Sequence, residues 1–122
     1  MIRKLSEAEC RDLMERGDIE AGLAAGPAAA LILTQSWCPQ WTAMKAYLPQ
    51  AEAAAPELKI YYVEYDIEPW ENLDHGIFMG FKENTFRNRE IPYVRYYRDG
   101  GYQRDGNYIS LEGFKERLGI VR

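Results

Sequence analysis

The sequence has little of what builds metal centres and disulfide frameworks. Its 122 residues contain two cysteines, Cys10 and Cys38, and one histidine, His75. No second histidine and no cysteine lies near His75 in sequence, so we interpret it as a structural residue and predict no metal site. Cys10 lies in a helical pattern far from Cys38, and a cytosolic setting keeps thiols reduced. No disulfide between the two is therefore predicted.

The chain also lacks a long apolar run, an internal repeat, a low-complexity segment and a Pro/Gly-rich linker. These absences predict a single domain over residues 1–122, without a signal peptide or membrane span, located in the cytoplasm. A net charge of -4 gives no general attraction to nucleic acid or to an anionic membrane. We interpret the one arginine-rich patch as a solvated face; it consists of Arg87, Arg89, Arg95 and Arg98. The sequence leaves the oligomeric state open.

The apolar pattern predicts an α/β fold. The continuous apolar run at Ala28–Thr34 is typical of a strand covered on both faces of a sheet, and residues 58–66 are rich in β-branched and aromatic side chains, as strands are. Residues 91–98 form a further strand, and Asp99-Gly100-Gly101 predicts a hairpin turn to residues 102–104. Helices are predicted from about Glu7, from Pro39 to about Ala54, as one or two short helices within 67–90, and over 111–118. Alternating strands and helices imply a central sheet with right-handed crossovers.

The segment Trp37-Cys38-Pro39-Gln40-Trp41 places a thiol between a buried strand and a helix. Pro39 suits the first helical position, where its missing N–H costs nothing, and Cys38 then faces the free amides of the first turn. Because the helix dipole favours a thiolate at that point, we predict that Cys38 is a catalytic nucleophile. Trp37, Pro39, Gln40 and Trp41 are predicted to form the rest of the active-site turn.

Four features, in this order, resemble the thioredoxin superfamily over nearly the whole chain. They are the Trp37-Cys38-Pro39-Gln40 start of a W-C-x-x-C motif, Tyr65-Asp66 at a strand end, Ile91-Pro92, and Arg98-Asp99-Gly100 followed by Gly106. The resemblance implies a thioredoxin-like three-layer α/β/α sandwich, with a central mixed sheet that ends in an antiparallel hairpin.

The resemblance also implies a substrate groove at Ile91, Pro92 and Tyr93. The Ile91–Pro92 bond would be cis, as X-Pro bonds alone can be at low cost, and Pro92 would pack beside the sulfur of Cys38. The backbone of Ile91 would then pair with an extended peptide, and Trp37, Trp41 and Tyr93 would rim the groove. The partner implied is a protein or peptide carrying a thiol or disulfide.

Several positions depart from the family pattern. Trp41 stands where the second cysteine would be, so a mixed disulfide on Cys38 needs an external thiol such as glutathione, and no other cofactor is predicted. Ile32 stands where thioredoxins bury an acid, and Tyr62 lies near the place of a lysine. An iron–sulfur site like that of some single-cysteine glutaredoxins is disfavoured, because Pro39 replaces their glycine. Residues 67–90 hold the surplus length of the chain and are a candidate lid or partner surface.

Two hypotheses for the function follow. In the first, the protein is a single-cysteine thiol-disulfide oxidoreductase, with Cys38 as nucleophile and Ile91 and Pro92 positioning the partner. In the second, it is a non-enzymatic peptide-binding module of the same fold, whose aromatic groove is kept while Cys38 is a relic or a redox-sensitive switch.

Overall fold

The computed structural model describes residues 1–120. Within that range the helices are α1 (Glu7–Arg16), α2 (Ala21–Ala24), α3 (Pro39–Ala54), α4 (His75–Thr85) and α5 (Leu111–Arg117). The strands are β1 (Ile2–Lys4), β2 (Ala28–Thr34), β3 (Lys59–Glu64), β4 (Tyr93–Arg98) and β5 (Gly101–Gly106). None of these helices has the length and apolar character needed to cross a membrane.

The strands of residues 1–120 form one mixed sheet in the order β1-β3-β2-β4-β5. Strands β1, β3 and β2 are parallel, whereas β4 and β5 are antiparallel to their neighbours. In the centre, Leu33 of β2 pairs with Val63 of β3 and with Tyr93 of β4. The C-terminal ends of β2 and β3 and the N-terminal end of β4 therefore lie side by side at the same end of the sheet.

Helices cover both faces of the sheet, and each face has its own core. One core packs α1, α2 and α4 against the sheet and includes Cys10. The other packs α3 and α5 against the opposite face and includes Cys38. The three-layer α/β/α sandwich is confirmed. Both cysteines are free, and the sheet lies between them.

Side-chain caps explain where three helices begin. Ser6 and Glu9 form a reciprocal capping box at the start of α1, which begins at Glu7 as predicted. Asp74 accepts a hydrogen bond from Ile77 at the start of α4, the helix that residues 67–90 form. Ser110 accepts one from Gly113 at the start of α5, also as predicted.

Helix α3 runs from Pro39 to Ala54, through Pro49, as predicted. The strand boundaries differ from the predicted ones, and β3 ends at Glu64 instead of residue 66. Strand β4 begins at Tyr93, after Pro92, which has no N–H to donate to the sheet. Strand β5 extends to Gly106, beyond the predicted residue 104. The predicted hairpin turn has positive φ at Asp99 (52°) and Gly100 (83°), the conformation that Asp-Gly turns favour.

The interpretation of the arginine patch as a solvated face is wrong at Arg95. Its side chain is buried with 8% exposure, and its guanidinium donates a 2.9 Å hydrogen bond to Asp18. The guanidinium carbon lies 4.3 Å from the ring centre of Phe86 and 4.1 Å from that of Tyr102. The aromatic stacking and the bond to Asp18 thus offset the hydration that the Arg95 guanidinium loses on burial.

Candidate functional site

The turn after β2 places Cys38 at the start of a long helix. Cys38 is the N-cap of α3, with φ -72° and ψ 121°, and Pro39 occupies the first turn as predicted. The Cys38 carbonyl accepts a 3.0 Å hydrogen bond from the Thr42 amide, which begins the helix. The Cys38 side chain makes no capping hydrogen bond and is 5% exposed. The sulfur is therefore held close to the helix N-terminus and nearly covered.

The loop before β4 lies directly against this sulfur. The Sγ of Cys38 is 3.7 Å from the carbonyl oxygen of Ile91, and the Ile91–Pro92 peptide bond is cis. Side-chain amides fix the loop, since Asn107 donates to the Pro92 carbonyl at 3.0 Å and Asn88 accepts from the Glu90 amide at 3.0 Å. Three residues predicted from the sequence, Cys38, Ile91 and Pro92, are thus brought together from positions far apart in the chain.

Two of the three aromatic residues predicted to rim the groove are buried instead. Trp41 is 1% exposed and faces the sheet from the first turn of α3, where its indole N–H donates a 2.7 Å hydrogen bond to Glu64. Tyr93 is fully buried, and its hydroxyl donates to Asp105 at 2.8 Å. The prediction is wrong for both because each points into one of the two cores. Trp37, by contrast, is 65% exposed.

Comparisons with known proteins agree on the architecture. The thioredoxin-like protein Trxlp of Edwardsiella tarda superposes with a TM-score of 0.60 at 16% identity, over 100% of both chains. Oxidised thioredoxin O2 of Arabidopsis thaliana superposes with a TM-score of 0.61 at 17% identity, covering 96% of this chain and 93% of that one. This is the thioredoxin fold.

A further structural match has a lower sequence identity, and the comparisons of sequence found no match. Oxidised thioredoxin of Plasmodium falciparum reaches a TM-score of 0.61 at 8% identity, over 98% of this chain and 96% of that one. No family model and no curated protein sequence matches the chain. At these identities the likeness establishes the thioredoxin fold alone.

The centre of the sheet is apolar where the thioredoxin resemblance places an acid and a lysine. Ile32 of β2 and Tyr62 of β3 are register partners, and both belong to the core under α3. The Trp41 and Tyr62 rings lie 5.4 Å apart between centres. Trp41 and Tyr62 thus form an aromatic layer between α3 and the sheet.

A buried carboxylate that was not predicted from the sequence lies two residues further along β3, at Glu64. Glu64 is 5% exposed and accepts hydrogen bonds from Trp41 at 2.7 Å and Lys45 at 3.3 Å, while Lys4 lies 3.3 Å from its other oxygen. Burial alone would raise the pKa of Glu64, but the donors from Trp41 and Lys45 outweigh it and lower the pKa below its usual value. A single acidic residue at the end of a strand with four apolar or aromatic residues before it was the available signal.

A second buried charge lies on the other side of the loop. Lys82 of α4 is fully buried, and its Nζ donates a 2.6 Å hydrogen bond to the carbonyl of Glu90, next to Ile91. Burial lowers the pKa of Lys82 to about 8, although the nearby carboxylates of Glu83 and Glu90 work in the opposite direction. The sequence around Lys82 does not predict its burial, because it resembles that of a lysine on the solvated side of a helix.

Two exposed apolar residues adjoin the turn of Cys38. Trp37 precedes the cysteine, and Ile67, which is 53% exposed, follows the end of β3. Asp66 joins the two segments, accepting hydrogen bonds from the Ser36 amide at 2.7 Å and from its hydroxyl at 2.6 Å. We call Trp37 and Ile67 the apolar rim.

His75 has a structural environment. Its Nε2 lies 2.7 Å from the carbonyl oxygen of Glu68, and its ring stacks on Trp70 with 5.3 Å between centres. Among residues 1–120, no group of three or more histidine, cysteine or acidic side chains is arranged to hold a metal ion.

Proposed function

We propose that the protein carries out thiol–disulfide exchange through Cys38 and depends on an external thiol of the glutathione class. The observation that carries the proposal is the position of the Cys38 sulfur, at the N-terminus of α3 and 3.7 Å from the Ile91 carbonyl. A helix N-terminus favours a thiolate, which is the attacking form in exchange. The apolar rim of Trp37 and Ile67 would receive the partner.

The proposed exchange has two steps. The Cys38 thiolate attacks the glutathione sulfur of a peptide–glutathione disulfide, forming a Cys38–glutathione disulfide and releasing the peptide thiolate, which takes a proton from water. A second glutathione thiolate then attacks the Cys38–glutathione disulfide, so that oxidised glutathione leaves and the Cys38 thiolate is restored. Glutathione is the reductant, and the net change transfers its electrons to the peptide disulfide.

The external thiol is needed because this chain offers no second thiol at the site. Trp41 occupies the position of a resolving cysteine. Cys10 is fully buried on the opposite face of the sheet, and burial raises its pKa to about 12. Neither position can supply a thiolate to a mixed disulfide on Cys38.

The test uses a fluorescent peptide linked by a disulfide to glutathione. In a Cys10→Ala background, we expect added glutathione to release peptide thiol faster with the protein than without it, and intact-mass measurement to detect a glutathione adduct on Cys38. The matched variant with Cys38→Ser should show neither. Release at the uncatalysed rate in both proteins would overturn the proposal.

The exposure of Trp37 and Ile67 favours a second candidate, a peptide-binding module without turnover. The same peptide with serine in place of its cysteine distinguishes the two, because it can dock but cannot exchange. Binding of this peptide to the Cys38→Ser protein, measured by fluorescence anisotropy and lost on Trp37→Ala, would support the module if the disulfide peptide shows no catalysed release.

A further inference from the structure

Lys82 is a buried ammonium without an ionic partner. Its side chain is fully buried, yet within residues 1–120 it forms no salt bridge. The acceptor for its Nζ is the main-chain oxygen of Glu90, at 2.6 Å, and the ring centre of Tyr93 lies 5.9 Å away. A buried charge with so few compensating contacts destabilises a fold, so an apolar side chain of similar length would suit the core better.

The position of that single acceptor connects Lys82 to the thiol. Glu90 directly precedes Ile91, whose carbonyl faces the Cys38 sulfur at 3.7 Å. The carbonyl that Lys82 holds and the carbonyl that meets the sulfur therefore belong to consecutive peptide units. The contact crosses from α4 to a segment outside the regular strands, since β4 begins only at Tyr93.

The other contacts that hold this loop come from neutral groups and from one exposed ion pair, in which Arg89 donates to Glu83 at 3.4 Å. Asn88 accepts from the Glu90 amide, and Asn107 donates both to the Pro92 carbonyl at 3.0 Å and to Asn88 at 2.9 Å. These bonds fix the amide of Glu90 and the carbonyl of Pro92, but leave the Glu90 carbonyl to Lys82. A charge-assisted hydrogen bond is stronger than a neutral one, and an exposed ion pair contributes little, so Lys82 supplies the strongest contact of the loop.

We infer that Lys82 is a positioning residue that holds the Glu90 carbonyl, and with it Ile91, against Cys38, so that a disulfide-bearing peptide meets a preformed loop. The inference rests on the proposed function for its effect on exchange, whereas the loop position can be measured by itself. Lys82 does not touch the reacting sulfurs and acts through the main chain of residues 90–92.

The first measurement compares exchange with stability in Lys82→Met, which keeps the length of the side chain and removes the ammonium. We expect the rate of peptide release to fall about tenfold, the effect of one lost charge-assisted hydrogen bond. We expect the urea midpoint to stay the same or rise, because the unpaired buried charge is gone. Lys115→Met, which removes an ammonium from α5, should change neither quantity.

The second measurement is amide hydrogen exchange of the loop, which needs no catalytic activity. In Lys82→Met the loop should open more often and break the hydrogen bond from the Glu90 amide to Asn88, so that this amide loses protection while the amides of β2 keep theirs. Unchanged protection at Glu90 would overturn the inference, as would a fall in release rate that merely follows a fall in urea midpoint. If Lys82→Met does not fold, Lys82→Gln is measured in the same way and has to show the same loss of protection at Glu90.

The two proposals fail in different ways. Loss of loop protection in Lys82→Met, together with uncatalysed release by the unaltered protein, would remove the exchange function and leave Lys82 as the residue that sets the loop. Catalysed release by the unaltered protein and by Lys82→Met at equal rates would keep the exchange function and remove the role of Lys82.

Discussion

Glu64 and Lys82 are both buried charges near the site, but their surroundings differ. Glu64 meets an indole N–H and two lysine ammonium groups, those of Lys4 and Lys45. Lys82 meets one backbone carbonyl, 2.6 Å from its Nζ. Each has a lowered pKa, which favours the charged form of the carboxyl group and the neutral form of the amine. The two lowered values therefore have opposite consequences for stability.

The difference shows what partners do for a buried charge. The donors around Glu64 replace the water that it loses, so its charge contributes to the fold. The charge of Lys82 is only partly compensated, so it weakens the fold while holding a loop beside Cys38. Proteins commonly keep a destabilising group where it fixes the geometry of a functional site, and Lys82 beside the Cys38 loop fits that pattern.

The largest expected effect is the loss of the compensated charge. Glu64→Leu leaves the indole N–H of Trp41 buried without its acceptor. It also removes the carboxylate partner of Lys45 and one of the two partners of Lys4, the other being Glu68. We expect the free energy of unfolding in urea to fall by about 3 kcal/mol. Glu64→Gln keeps an acceptor for the indole and should lose less. An unchanged unfolding midpoint in Glu64→Leu would show that the carboxylate is no better compensated than Lys82.

A smaller effect is expected when only one donor to Glu64 is removed. Trp41→Phe takes away the indole N–H and part of the ring, while Lys4 and Lys45 remain. We expect a loss of about 1.5 kcal/mol in the free energy of unfolding. Tyr62→Phe, which keeps the aromatic contact with Trp41, serves as the matched control in the same urea titrations. Equal losses in the two variants would contradict the role given to the indole hydrogen bond.

The smallest effect separates Lys82 from Glu64 by pH. The pKa of Lys82 is about 8 in the folded protein and about 10.4 in an unfolded chain, so between these values the unfolded state binds more protons. In a Cys10→Ala background, which removes a buried thiol whose raised pKa opposes the effect in the same window, stability should therefore rise with pH, by about 1 kcal/mol between pH 8 and 9.

Urea titrations of Lys82→Met in the same Cys10→Ala background and pH range provide the control, since this variant should lack the rise. Buried tyrosines such as Tyr96, whose pKa burial raises to about 12, work in the opposite direction mainly above pH 9, because an unfolded tyrosine has a pKa of about 10. A rise of equal size in both proteins would assign the effect to another group.

Local patterns in the sequence predicted most of the fold. The continuous apolar run of β2, the Ser6 and Ser110 caps and the Asp99-Gly100 turn each act over a few residues, and each was interpreted correctly. The position of Cys38 at a helix start follows in the same way from Pro39. Such features are readable because the residues that decide them are neighbours in the chain.

The burial of three side chains was not predicted, because it depends on partners distant in sequence. Arg95 is buried because Asp18, which lies 77 residues away, accepts its hydrogen bond. Trp41 turns inward to a carboxylate on β3, 23 residues further on. The burial of Lys82 likewise depends on how α4 packs beside the loop of Glu90. Propensity and spacing do not specify such pairs, so the sequence predicted the thiol and its loop but not the charges around them.

The strand order has a consequence for how the chain reaches this structure. Strands β4 and β5 are joined by a two-residue turn, and such hairpins form within microseconds. Strand β1 instead pairs with β3 through Ile2 and Ile60, so its contacts need closure of a long chain segment. We therefore expect the hairpin to form early and β1 to join the sheet late, although β1 precedes β3, β4 and β5 in the chain.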